Sequence, residues 1–308
     1  MNIRKNINET YNLELKPVDQ LSSDYFLQAF KPEESGAYFH LILKKKELER
    51  GEIFVFVNQE RQGMSIPKSP FGGFWIHDSV SSEVIGQMIG FLSECMIEMN
   101  VVSLKITQAP NVYGSKSDLI GYLLFCQGFK LEKLLNHQIL FGKKKIKNAF
   151  QQLFPKLIDK AKKQNFNAVV GNIQSFNFLE QMSQWKIQKG HLSNIDEKRL
   201  IQQVSSYPER YFVVSILQES KPVAHAVAVK LTSDSLYYFY SAINPKNQSK
   251  HTGELLMVYL LKLAMEQKVS FLDLGSSDLE GSPNHKLMFF KEKYADSWVN
   301  KCTWQKIF

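Results

Sequence analysis

Tyr38 to Leu43 and Ile53 to Val57 are β-branched or aromatic runs, and the charged stretch between them ends at Gly51. That pattern predicts a hairpin. Met64 to Ile76 reads as extended but irregular, because Pro67, Pro70 and the Gly72-Gly73 pair interrupt it. At Ser82 the apolar spacing changes to the helical period: Val84, Ile85, Met88, Ile89, Leu92, Met96 and Met99 fall on one stripe. Ser82 and Glu83 suit the start of that helix. A strand over Ser103 to Thr107, a helix over Ser117 to Cys126 stopped near Gly128, and an extended run from Lys130 to Phe141 follow.

The second half repeats the order. A helix is expected after Pro155, with Leu157, Ile158 and Ala161 inward and Lys156, Lys160 and Lys163 outward. Phe178 to Trp185 and Asp196 to Val204 look helical. Strands at Tyr211 to Leu217, Pro222 to Leu231 and Ser235 to Ile243 precede a buried helix, Gly253 to Gln267. The strand Ser270 to Leu274, a helix from about Asn284 to Lys293 and the strand Trp298 to Lys306 complete the chain. Element order repeats although sequence does not, so the pattern predicts two α+β units, 1–145 and 146–308. A chain of 308 residues is about twice the usual domain length, which agrees.

Composition narrows the partners. The net charge is +8, yet residues 143–163 hold eight lysines and one acid, Asp159, which makes +7. The rest is near neutral, so the chain as a whole does not read as a DNA-binding protein. The cluster reads first as a solvated helix face and second as a place for an anionic partner, such as an RNA-borne donor. Phe150 and Phe154 fall between Lys147 and Lys156, but no aromatic residues alternate with the lysines as base-stacking residues would. Cys95, Cys126 and Cys302 are three scattered cysteines, which argues against a disulfide scaffold or a metal site; Cys95 and Cys126 read as core residues. The polar start, Met1 to Thr10, does not resemble a signal peptide, and Leu255 to Met265 is too short to span a bilayer. A cytoplasmic location without a transmembrane segment is expected.

Several strings carry a family resemblance. Leu272 to Ser282 (LDLGSSDLEGS) followed by Phe289 to Tyr294 (FFKEKY) places an acid-x-Gly at a strand end before a helix with Phe-Lys. Leu236 to Ile243 (LYYFYSAI), the Pro245 loop and the long apolar helix form the preceding step, and Ser69 to Trp75 (SPFGGFW) is a Pro- and Gly-rich strand. Together these resemble the FemABX-like transferases of the GNAT superfamily. The resemblance implies two tandem GNAT-like domains, each a mixed, mainly antiparallel sheet flanked by helices, with the active site in the second. The coiled-coil arm of some members has no counterpart here. In ordinary GNAT acetyltransferases Gln/Arg-x-x-Gly-x-Gly/Ala holds the acetyl-CoA pyrophosphate on bare N–H groups. The corresponding run is Gln248-Ser-Lys-His251-Thr-Gly253, with His251 at the first glycine position, where its side chain crowds that approach.

Acyl transfer to an amine needs oxyanion stabilisation and a proton route. The resemblance makes Lys291 the oxyanion-stabilising cation; otherwise it is a helix lysine with its stem over Phe289 and Phe290. Asp273 would orient an amine or a lysine, or else cap its loop, with Gly275 permitting the turn. His251 is a candidate proton shuttle. His225, in an alternating strand, reads as a hydrogen-bonded core residue. Tyr240, Lys186 and Lys189 are candidates for holding substrate, and Trp75 for one wall of a substrate groove. The expected activity is acyl or aminoacyl transfer from an activated donor, aminoacyl-tRNA or acyl-CoA, to a small-molecule or peptide-like amine. It requires no metal, no tightly bound cofactor and no covalent enzyme intermediate. A non-catalytic anion-binding protein on the same fold and an acetyl-CoA-dependent N-acetyltransferase are the alternatives.

Overall fold

The computed structural model describes residues 2–18, 29–30, 35–190, 196–247, 249, 251–279 and 281–308. Gln248, Lys250 and Glu280 of the strings above lie outside these residues, as does His191. The chain forms two compact units, residues 1–135 with 299–308, and residues 136–298.

The first unit opens with two strands absent from the sequence expectation, β1 (Ile3–Asn6) and β2 (Tyr11–Pro17). The hairpin β3 (Gly36–Lys45) and β4 (Leu48–Asn58) follows, then β5 (Gln62–Ser65) and the short β6 (Trp75–Ile76). Helix α1 (Ser82–Glu98), β7 (Ser103–Thr107), α2 (Ser117–Cys126) and the start of β8 (Lys130–Phe141) come next. Strands β1 to β5 are antiparallel neighbours, and β5 pairs with β7 in parallel. The last position is filled by β16 (Ser297–Ile307), antiparallel to β7. The α1 stripe of Val84, Ile85, Met88, Ile89, Leu92 and Met96 is buried against the strands, as its periodicity requires. Ser81 rather than Ser82 caps the helix, accepting from the Val84 N–H.

The second unit shows the same order of neighbours. Helix α3 (Lys143–Lys163) precedes β9 (Phe166–Asn172), α4 (Asn177–Gln188), α5 (Glu197–Ser206) and a 3-10 turn at Pro208–Arg210. Strands β10 (Tyr211–Gln218), β11 (Lys221–Val229) and β12 (Ser235–Ile243) form an antiparallel meander with β9. Helix α6 (Thr252–Glu266) leads to β13 (Phe271–Ser276), which pairs with β12 in parallel. The pair β14 (Asp278–Leu279) and β15 (Ser282–Pro283) and helix α7 (His285–Glu292) complete the unit. The strand beside β13 is the second part of β8, antiparallel.

Two expectations are corrected. The expected division at 145/146 misplaces both closing strands, because β16 completes the first unit and Asn136 to Phe141 the second. Apolar alternation predicts a strand but not its neighbour. Helix α3 begins at Lys143, twelve residues before Pro155, which lies inside it. Ile146, Ala149, Phe150, Leu153 and Leu157 share one inward stripe, and their burial carries the helix through the proline. All eight lysines are exposed. Helix α6 is apolar around most of its circumference and is correspondingly buried. Among the described residues no helix is long and apolar enough to cross a membrane.

Candidate active site

Strands β12 and β13 pair only over Ser235 to Tyr237 and Phe271 to Asp273. Beyond Tyr237 and Asp273 they part, and their carboxyl ends open. In sheets with parallel strands such an opening is where a ligand meets unpaired backbone. Two local features shape it. Gly275 has φ +68°, and a Cβ there would lie 3.3 Å from a Tyr237 ring carbon, so glycine is favoured on both counts. The β12–β11 ladder has a one-residue bulge: Val229 opposes Tyr237 and Ala228 opposes Tyr238, but Val227 opposes Tyr240. Phe239 is therefore the extra residue, and Tyr240 returns to the face that Tyr237 occupies.

Asp273 lies on that face with no exposure to solvent. Its Oδ1 accepts from the Gly275 N–H (2.7 Å), and both of its oxygens lie 3.0 Å from His137 Nδ1. A carboxylate only accepts, so Nδ1 carries the proton. His137 sits on β8 opposite Ser276, and its ring lies nearly parallel to Tyr237 at 6.1 Å. Desolvation and the Asp273 charge push the Tyr237 phenol upward, and desolvation takes Tyr238 to about 12.

Lys291 reaches the same turn from α7. The residue is only 4% exposed, and its Nζ donates to the Ser276 carbonyl (2.7 Å) and, more weakly, to that of Gly275 (3.4 Å). An ammonium has three donors; the third meets no acceptor among the described residues. Nζ also lies 5.8 Å from the Tyr238 ring centroid. Burial pulls Lys291 down to about 8, while Asp273 and Asp278 act in the opposite direction.

The structure thus brings Lys291, Asp273 and Gly275 together. Tyr240 and Lys186 form a neighbouring pair on the face shared by Tyr237 and Asp273. Lys186 Nζ stands 4.9 Å over the Tyr240 ring, and burial and the Lys189 charge lower its basicity. Lys189 itself, one residue past α4, is exposed. His251 is elsewhere: half-buried before the first turn of α6, its Nδ1 lies 2.9 Å from Glu254 Oε2. His225 is a core residue, with its nitrogens 2.8 Å from Ser215 Oγ and Gln181 Oε1 and its ring stacked on Trp185. Burial pushes it down to about 4.

Trp75 belongs to the first unit, where it lines a cavity of about 490 Å³ with Arg50, His77, Tyr113 and Lys116. The preceding glycines allow close packing: the Gly72 and Gly73 N–H groups both donate to the Thr107 carbonyl. Cys126 is exposed rather than in the core. Sequence reasoning missed His137 altogether. The signal was the buried polar pair His137-Gln138 in an otherwise apolar strand end.

No protein-family model and no curated protein sequence matches the chain. Solved structures do. FemX aligns with a TM-score of 0.67 at 11% identity, covering 94% of this chain and 92% of FemX. A tandem GNAT protein from the clavulanic acid biosynthesis pathway aligns with a TM-score of 0.56 at 9% identity, covering 96% and 98%. The chain has the tandem GNAT fold. The L-PGS of Bacillus licheniformis aligns less extensively, with a TM-score of 0.53 at 13% identity over 83% and 80% of the two chains. The resemblance to the FemABX-like transferases therefore holds for the fold.

Proposed function

We propose that the protein is an acyltransferase that moves an acyl group from an activated ester to an amine, with Lys291 stabilising the oxyanion. One observation carries this reading. A cation is held at the open end of a parallel strand pair by two backbone carbonyls, without a carboxylate in salt-bridge contact among the described residues. A buried ammonium is costly, and a purely structural lysine would extend into water instead. With one donor unassigned, it can meet charge that develops only as a carbonyl is attacked. The fold shared with FemX supports the same class of chemistry.

Helix α6 favours an aminoacyl ester over acyl-CoA as donor. Its first turn carries the Glu254 carboxylate beside His251, where acyl-CoA phosphates would need bare N–H groups. In this reading a small or peptide-like amine is the acceptor, Tyr240 and Lys186 contact the substrates, and the reaction runs in the cytoplasm with the donor as its only activated partner. The test pairs a labelled aminoacyl-tRNA pool, or acetyl-CoA, with a mixture of amino acids and short peptides. Lys291→Ala should lower transfer at least tenfold, a rise on the order of 1.4 kcal/mol in the barrier, with folding unchanged. Undiminished transfer by that variant would sink the role, and acetyl-CoA alone supporting transfer would reverse the choice of donor.

A further inference from the structure

Asp273 engages only one nitrogen of His137, Nδ1. The residue is 1% exposed, and its Nε2 is buried without a hydrogen-bond partner. A buried polar atom without a partner costs about 1–3 kcal/mol, so its retention calls for an explanation. His137 differs here from His225, whose two nitrogens are both paired. The Asp273 carboxylate fixes the Nδ1–H tautomer and the ring's orientation, leaving the Nε2 lone pair as an acceptor. The Gly275 N–H fixes Asp273 in turn. The ring lies opposite Ser276, whose carbonyl holds the Lys291 ammonium, so imidazole and ammonium converge on one turn from two strands and a helix.

We propose that His137, oriented by Asp273, is the proton acceptor for the attacking amine. This rests on the acyltransfer reading above. The amine nitrogen bonds to the ester carbonyl carbon, whose oxygen becomes the anion facing Lys291. The nitrogen, now positive, gives its proton to His137 Nε2, and the imidazolium is stabilised by the Asp273 carboxylate. Collapse of the intermediate breaks the carbon–oxygen bond to the donor, and the departing alkoxide takes the proton from Nε2. Amide and alcohol result, and His137 returns to its starting state. An acceptor bonded to Nε2 also supplies the partner that this nitrogen lacks in the free protein.

The test separates proton transfer from mere support of Asp273. Asparagine at 137 can present an amide N–H where Nδ1–H stood but has nothing at Nε2, whereas glutamine places an amide nearer the Nε2 position. His137→Asn should slow transfer from the aminoacyl-tRNA pool about 100-fold, with KM for the donor little changed and the thermal midpoint near that of the wild type. Imidazole ¹⁵N spectra of the full chain at neutral pH should show His137 as the Nδ1–H tautomer. Transfer retained by His137→Asn but lost by Lys291→Ala would overturn the proton-acceptor role and leave the acyltransferase reading standing. Loss of function by neither variant would remove both. If His137→Asn fails to fold, His137→Gln and the spectra decide: an Nε2–H tautomer in the wild type, or full activity in the glutamine variant, overturns the proposal.

Discussion

The proposed oxyanion role needs Lys291 charged, in surroundings that favour its neutral form, and this gives the proposal a pH signature. Lys291 lies at about 8 in the folded chain against an ordinary 10.5, with burial as the main cause. Transfer should therefore decline as pH rises through about 8, because only the ammonium stabilises an oxyanion. Lys291→Arg, which does not titrate in this range, should lose that descending limb even if its turnover is lower. Stability should run the other way. The folded value is depressed, so the stability linked to this group is complete above 10.5 and is lost as pH falls through about 8. Relative to Lys291→Met, the wild type should gain roughly 2–4 kcal/mol between those limits in denaturant titrations. A flat difference would contradict the assigned burial. Gly275→Ala tests the turn that both groups share. Its positive φ and the 3.3 Å approach to Tyr237 predict a loss of about 1–3 kcal/mol, together with reduced transfer. Lys291, Asp273 and Gly275 were legible because one short stretch of sequence holds them. His137 was not, because 136 positions separate it from Asp273 and only the strand register makes them neighbours.

At the scale of elements, apolar period located nearly every strand and helix that packs one face on a core. It missed β2, although Leu13 and Leu15 alternate into the core, and otherwise failed where that signal is diluted. The edge strands β1 and β9 are largely exposed, and α3 hides its stripe among lysines on both sides of a proline. The β12 bulge was also invisible, since Tyr237, Tyr238 and Tyr240 read equally well as a regular strand. Removing one residue from a strand ordinarily turns everything downstream to the opposite face. Here deletion of Phe239 should not, because Tyr240 already faces as Tyr237 does. The deletion should leave the thermal midpoint within a few degrees and still reduce transfer at least tenfold, because it straightens the strand beside the open end. Unfolding of that variant would show that the bulge serves the sheet rather than the site. Helix α3 offers a complementary check. Lys143, Lys144 and Lys145 stand on its positive end, and Gly142 provides no side-chain cap. Lys144→Glu should therefore stabilise the chain by about 0.3–1 kcal/mol at low salt, and the gain should fade as salt is added.

For the whole molecule, the two units repeat one plan: an antiparallel meander, one parallel pair, and an antiparallel closing strand. What the sequence could not show is that each closing strand is drawn from the opposite half of the chain. A division at 145/146 leaves the second unit without Asn136 to Phe141, so β13 exposes an unpaired edge and Asp273 loses His137. It also strands β16 away from β7, together with Trp304, which packs in the core of the first unit. Fragments make the consequence measurable. Residues 136–298 should unfold cooperatively on heating and retain dispersed amide spectra, because they contain the whole of one core and its closing strand. Residues 146–308 should aggregate or lack a cooperative transition, despite being the same length. A cooperative, monomeric 146–308 fragment would mean that β16 can replace β8 beside β13, and that the pairing of strands is set by connection rather than by side-chain complementarity.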